Sequence, residues 1–106
     1  FFTTWCGPCK EEMPEIQKIQ EEYKDKDLLV YLIDLNEDEE TVKTFMEKNN
    51  YNFNILMDPN SDAGNLYRTT EIPTSLFINK EGKIVKRHAG KMTYAMVKDF
   101  VELLYK

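Results

Sequence analysis

The chain has 106 residues, 42% of them hydrophobic, which is enough for one domain with a single core. Its formal net charge of −5 argues against a nucleic-acid binder, because phosphate contacts need clustered Lys and Arg. The longest apolar run, Leu28 to Ile33, is too short to span a bilayer, and no signal-peptide or lipid-anchor pattern is present.

The chain opens on the apolar pair Phe1-Phe2, which reads as the end of a strand, followed by Thr3-Thr4 and then Trp5-Cys6-Gly7-Pro8-Cys9-Lys10. That stretch holds the only two cysteines. From roughly Pro8 to Tyr23, residues Cys9, Met13, Ile16, Ile19 and Tyr23 recur at spacings of three and four, the signature of an amphipathic helix. The cysteines therefore sit at a strand-to-helix junction, where unpaired N–H groups and the positive end of the helix dipole favour a thiolate. Pro8 suits the first helical turn, and Gly7 leaves Cys6 open to an approaching disulfide. Cys9, one turn further in, is placed to attack a mixed disulfide at Cys6. Two alternatives compete with thiol–disulfide exchange. A zinc site needs four ligands, and the chain offers two cysteines and a distant lone His88. A purely structural disulfide would close so short a loop that it would constrain little of the unfolded chain.

Further along, Pro14 removes one hydrogen bond inside the helix, so a kink is expected. Leu28 to Ile33 reads as a strand buried on both faces. Asn36, with Glu39 three residues on, has the spacing of a capping box for a helix whose stripe is Val42, Phe45 and Met46 and whose end is Asn49-Asn50. The run Glu37-Asp38-Glu39-Glu40 reads as a solvated helix start. Phe53 to Met57 is a short strand stopped by Asp58-Pro59, and Asp62 to Arg68 a short helix. Thr74 to Ile78 and Ile84 to Ala89 form a hairpin about Asn79-Lys80-Glu81-Gly82. Thr93 caps a last helix that buries Met96, Val97, Phe100, Val101 and Leu104.

Trp5-Cys6-Gly7-Pro8-Cys9 resembles the thioredoxin active site, and Ile72-Pro73-Thr74 resembles the cis-proline loop of that fold. The longer pattern Cys6-Gly7-Pro8-Cys9-Lys10-Glu11-Glu12-Met13-Pro14 is similar to the TlpA/ResA-like branch of extracytoplasmic thioredoxin-fold oxidoreductases. The resemblance covers nearly the whole chain and implies an α/β thioredoxin fold. Its mixed sheet would be ordered Phe53 strand, Leu28 strand, N-terminal strand, Thr74 strand, Ile84 strand, with the last two antiparallel to the rest. The helix–strand–helix segment between Asn36 and Thr70 is the insertion this branch carries. The family's N-terminal strand is longer than Phe1-Phe2, so residue 1 reads as a cut within it.

The resemblance also implies roles. Cys6 would be the nucleophile and Cys9 the resolving thiol, a redox-active disulfide pair needing no other cofactor. Trp5 would grip partner chains, Ile72 and Pro73 would lay main chain beside Cys6 for an extended substrate, and Gly90 would line the same groove. Glu12, three residues beyond Cys9, is either a solvated surface carboxylate or, as in the family, a group that tunes cysteine ionisation. Partners would be protein thiols and disulfides and an upstream electron-donor protein, in an extracytoplasmic setting, with a cytoplasmic one as the alternative and any membrane anchor lying before residue 1. Cys-Gly-Pro-Cys points to a reductant, since stronger oxidants of the fold carry a histidine between the cysteines. Two other functions stay open: a thiol peroxidase, for which Thr3 has the spacing from Cys6, and a non-catalytic binding module.

Overall fold

A computed structural model describes residues Phe1–Lys106. In chain order it contains α1 (Gly7–Glu22), β1 (Tyr31–Leu35), α2 (Glu39–Lys48), β2 (Asn54–Asp58), α3 (Asp62–Leu66), β3 (Thr74–Ile78), β4 (Ile84–Ala89) and α4 (Tyr94–Glu102), with a closing 3-10 turn at Leu103–Tyr105.

β1 pairs with β2 in parallel, and β3 with β4 antiparallel. Phe1 and Phe2 join the two ladders. The Phe2 N–H donates to the Ile33 carbonyl and the Leu35 N–H to the Phe2 carbonyl, at 3.0 and 3.1 Å, a parallel bridge to Asp34. On the other side the Phe1 nitrogen donates to the Thr74 carbonyl at 2.8 Å, and the Thr74 N–H returns a bond to Phe1 at 3.3 Å. That reciprocal exchange is the antiparallel pattern. The order is therefore β2, β1, residues 1–2, β3, β4, as the resemblance implies.

α1 lies across this join. Its first half buries Cys9 and Met13 with Phe2, Leu32, Val42 and Met46, so that β1 and α2 close over it. Its second half buries Ile19 and Tyr23 with Phe77, Met92, Val97 and Val101 from β3 and α4. Met13 and Ile19 are almost fully enclosed, each worth about 1.5–3 kcal/mol of transfer free energy. The helix runs on through Pro14 to Glu22.

Two expectations are corrected. The ladder of β1 begins at Tyr31, not Leu28, and its two faces are covered unequally: Leu32 and Asp34 are buried, Ile33 and Leu35 half-buried, and Tyr31 exposed. The cap of α2 is Asp38, whose carboxylate accepts from the Thr41 N–H at 2.7 Å. Asn36 instead takes a left-handed φ of 59°, which Asn tolerates, and this turns the chain so that the helix starts at Glu39. At the other termini the reading holds. Thr93 Oγ1 accepts from the Met96 N–H at 3.2 Å, and Gly82 supplies the positive φ of the hairpin turn.

Candidate active site

Cys6 is the N-cap of α1. It has an extended backbone, and its sulfur accepts a hydrogen bond from the Cys9 N–H at 3.2 Å. The capping position that Ser or Asp fills in other helices is thus held by the sulfur itself, and one of the helix's unpaired donors points at it. A negative charge on Cys6 is stabilised there by that N–H and by the helix dipole. Pro8 lies within the first turn, where its missing N–H leaves nothing unpaired. Cys6 and Cys9 form a disulfide with Cα atoms 5.2 Å apart. Both are buried, Cys9 the more deeply. No atom lies within 4 Å of where a side chain on Gly7 would begin, so the approach beside Cys6 is open. Trp5, 71% exposed, stands next to it.

The cis-proline loop faces the same sulfur. The Ile72-Pro73 peptide bond is cis, and the Ile72 carbonyl oxygen lies 3.7 Å from Cys6 Sγ. A disulfide sulfur carries no hydrogen, so this is a contact and not a hydrogen bond. Local bonds pin the loop: Thr74 Oγ1 donates to the Glu71 carbonyl at 2.6 Å, and the Gly90 N–H donates to the Pro73 carbonyl at 2.7 Å. Gly90 has φ of 101°, and a Cβ there would sit 3.6 Å from the Glu71 carboxylate. Glycine is thus required by the backbone at Gly90, beside the loop it holds.

Glu12 is buried, only 3% exposed, which decides between the two readings of this residue. One turn of α1 beyond Cys9, it reaches the loop before α4, where its Oε2 accepts from the Met92 N–H at 2.9 Å. Its neighbour Glu11 pairs at the surface with Lys91. Burial pushes the Glu12 carboxyl up to about 7, against the Met92 N–H, which favours the carboxylate. A carboxyl that titrates near neutral pH therefore lies buried one helical turn from Cys9.

Cys6, Cys9, Trp5, Gly7, Pro8, Ile72, Pro73 and Gly90 are thus brought to one end of α1, with Glu12 beneath. Thr3 does not present a hydroxyl to solvent. Its Oγ1 is buried without a hydrogen-bond partner, and its carbonyl accepts from the Cys6 N–H at 3.4 Å. His88 lies on β4 against the Phe100 ring, with centroids 5.7 Å apart.

Sequence reasoning missed a buried carboxyl pair beside the motif. Asp34 is fully buried, and neither of its oxygens has a donor in hydrogen-bonding geometry. Glu37, read as part of a solvated run, turns inward and accepts from the Thr4 N–H at 2.7 Å and the Thr4 hydroxyl at 2.5 Å. The available signal was an acid inside the apolar run ending at Leu35, since a buried carboxyl demands a partner.

A family model described as Redoxin matches residues 1–104. The thiol-disulfide oxidoreductase ResA of Halalkalibacterium halodurans is 38% identical over 104 residues, covering 98% of this chain and 59% of that protein. The chain thus spans about three-fifths of the length of the curated relatives it matches. The crystal structure of StoA from Bacillus subtilis superimposes with a TM-score of 0.83 at 29% identity, over 94% of this chain and 77% of that one. The exposed lipoprotein thioredoxin Etrx1 of Streptococcus pneumoniae does so with 0.84 at 29% identity, over 98% and 81%. With its cysteine pair capping α1 and its cis-proline loop against Cys6, this chain belongs to the redoxin family and has a thioredoxin fold of the ResA-like kind.

Proposed function

We propose that the chain is the catalytic unit of a thiol–disulfide oxidoreductase that reduces disulfides in partner proteins. The observation that carries this reading is the Cys6 sulfur, held as the N-cap of α1 by the Cys9 N–H and faced by the Ile72 carbonyl. In the reduced protein the Cys6 thiolate attacks one sulfur of a substrate disulfide. The substrate S–S bond breaks, its leaving sulfur takes up a proton, and a mixed disulfide to Cys6 remains. Cys9 gives up its proton, and its thiolate attacks Cys6 Sγ, releasing the second substrate thiolate. Two electrons have passed to the substrate, and the Cys6–Cys9 disulfide is the product. Glu12, a buried base near neutrality one helical turn from Cys9, is suited to take the Cys9 proton. An extended substrate segment laid along the Ile72 main chain, with Trp5 at its flank, supplies recognition by strand addition. The pair needs no further cofactor, but it must be reset by a donor dithiol protein.

An extracytoplasmic setting is supported by the likeness to the exposed lipoprotein thioredoxin of Streptococcus pneumoniae. No helix of the chain is long and apolar enough to cross a membrane. The activity is tested by insulin disulfide reduction with dithiothreitol as donor. Catalytic amounts of the protein should shorten the lag before insulin precipitates. A lag equal to the protein-free control rejects the reading and favours a binding module. Rapid consumption of hydrogen peroxide would favour the peroxidase alternative, which the buried Thr3 hydroxyl does not support.

A further inference from the structure

The Asp34–Glu37 pair plays no part in the exchange steps, yet it bonds to the segment that delivers Cys6. Glu37, in the turn between β1 and α2, receives both the N–H and the hydroxyl of Thr4, two residues before Cys6. Asp34, beside Phe2 on β1, is fully enclosed and contacts the Glu37 carboxyl. Two adjacent carboxylates, one without a donor, are costly when both are ionised. A single shared proton resolves this: Asp34 as a neutral acid donates to the Glu37 carboxylate, which then accepts from Asp34 and twice from Thr4.

The charged surroundings agree. The groups that raise Asp34 are the Glu37 carboxyl and Asp38, both acidic, and only the Glu37 backbone N–H acts the other way. From α1 and α2, the side chains packed in the adjoining core are Cys9, Met13, Val42 and Met46, none of them cationic. On β2, Asp58 pairs in register with Leu35, and its carboxylate is taken by the N–H groups of Ala63 and Gly64. The N-terminal segment contributes Thr3, whose hydroxyl has no partner. Burial, then the hydrogen bond with Glu37 and the charges of Glu37 and Asp38, push the Asp34 carboxyl up. For Glu37, burial acts upward but is outweighed by the bonds from Asp34 and Thr4, so its carboxyl is held low.

We propose that Asp34, Glu37 and Thr4 form a one-proton clasp that positions the turn carrying Trp5 and Cys6, with Asp34 as the neutral donor that keeps it closed. Asp34 and Glu37 are positioning residues in this scheme. Loss of the shared proton sets two carboxylates against each other, loosens the hold on Thr4, and shifts the turn that carries Cys6. The link to chemistry rests on the proposed thiol–disulfide exchange; the clasp itself does not.

The test uses the oxidised protein without substrate, so that no thiol titrates and its outcome is independent of whether the protein reduces insulin. Trp5, the only tryptophan, sits beside Thr4 and reports the turn. Its emission should show a step centred near the Asp34 value of about 8. The step should vanish in Asp34→Asn, whose amide remains a donor at every pH, and persist in Glu12→Gln. The rate at which dithiothreitol reduces the disulfide supplies the second readout. Wild type divided by Asp34→Asn should be constant below neutrality and rise severalfold above the step, where roughly nine-tenths of Asp34 is ionised one pH unit beyond its midpoint. A carboxyl carbon resonance of Asp34 in the unaltered protein, titrating above neutrality, supports the same assignment without a variant. A flat Trp5 titration, an equal step in Asp34→Asn, a pH-independent rate ratio or an Asp34 resonance titrating in the ordinary carboxylate range would each overturn the clasp.

Discussion

A Cys9→Ser variant mixed with a protein disulfide is expected to stop at the mixed disulfide, bonded through Cys6, with multiple-turnover reduction lowered by about a thousandfold or more. The reason is positional. Cys9 lies one turn into α1, buried in the core with Met13 and Leu32, and its sulfur is bonded to Cys6 in the structure, so an intramolecular attack needs no diffusion. Serine keeps the size of the side chain but cannot resolve a sulfur–sulfur bond. A Cys6→Ser variant should be as inactive but should trap nothing, because the remaining thiol is the more deeply buried one. Non-reducing mass analysis of each variant after exposure to a protein disulfide separates the two roles. Adduct formation by Cys6→Ser in place of Cys9→Ser would reverse the assignment.

Replacing Glu12 by Gln is expected to stabilise the oxidised protein at neutral and alkaline pH, by up to about 3 kcal/mol, and to have little effect under acidic conditions. The sign follows from the buried carboxyl, whose value rises from 4.5 in the unfolded reference to about 7 in the fold. Between those two values the folded state holds a proton that the unfolded state has released. Wild-type stability therefore falls as pH rises through this window and levels off above it. Gln cannot ionise, yet it still offers a carbonyl to the Met92 N–H. Asp34, raised from 3.8 to about 8, gives wild type and variant the same additional slope, so the difference between their urea unfolding curves isolates Glu12. In the reduced protein the same substitution removes a negative charge from beside Cys9, so thiolate absorbance should appear at lower pH. A stability difference that does not vary with pH, or superimposable thiolate curves, would return Glu12 to the status of a structural carboxyl.

Much of this site was legible because its residues announce themselves locally. Cys6-Gly7-Pro8-Cys9 at a strand-to-helix junction dictates a capped helix end with a sulfur on it, and Ile72-Pro73-Thr74 marks the loop that meets it. The hairpin and α4 were legible for the same reason, since Gly82 and Thr93 fix a turn and a cap within a few residues. What sequence could not resolve depends on contacts between distant segments. Whether Glu12 faces water or the core is decided by Met92, eighty residues away in the chain. Glu37 looked like one acid among four at a helix start, and only the approach of Thr4, 33 residues earlier, turns it inward. The unequal cover of the two faces of β1 was likewise hidden, because apolar content shows that a residue can be buried and not how far each face finds cover. The start of α2 failed for a local reason: Asn36 and Asp38 are both good caps, and the left-handed turn at Asn36 leaves the cap to Asp38.

The role of the helix end is tested most directly by partial alkylation of the fully reduced protein with iodoacetamide at neutral pH, followed by mapping of the modified peptide. The account predicts that Cys6, whose sulfur receives the Cys9 N–H at the start of α1, is labelled first while Cys9 stays protected. Preferential labelling of Cys9 would contradict it.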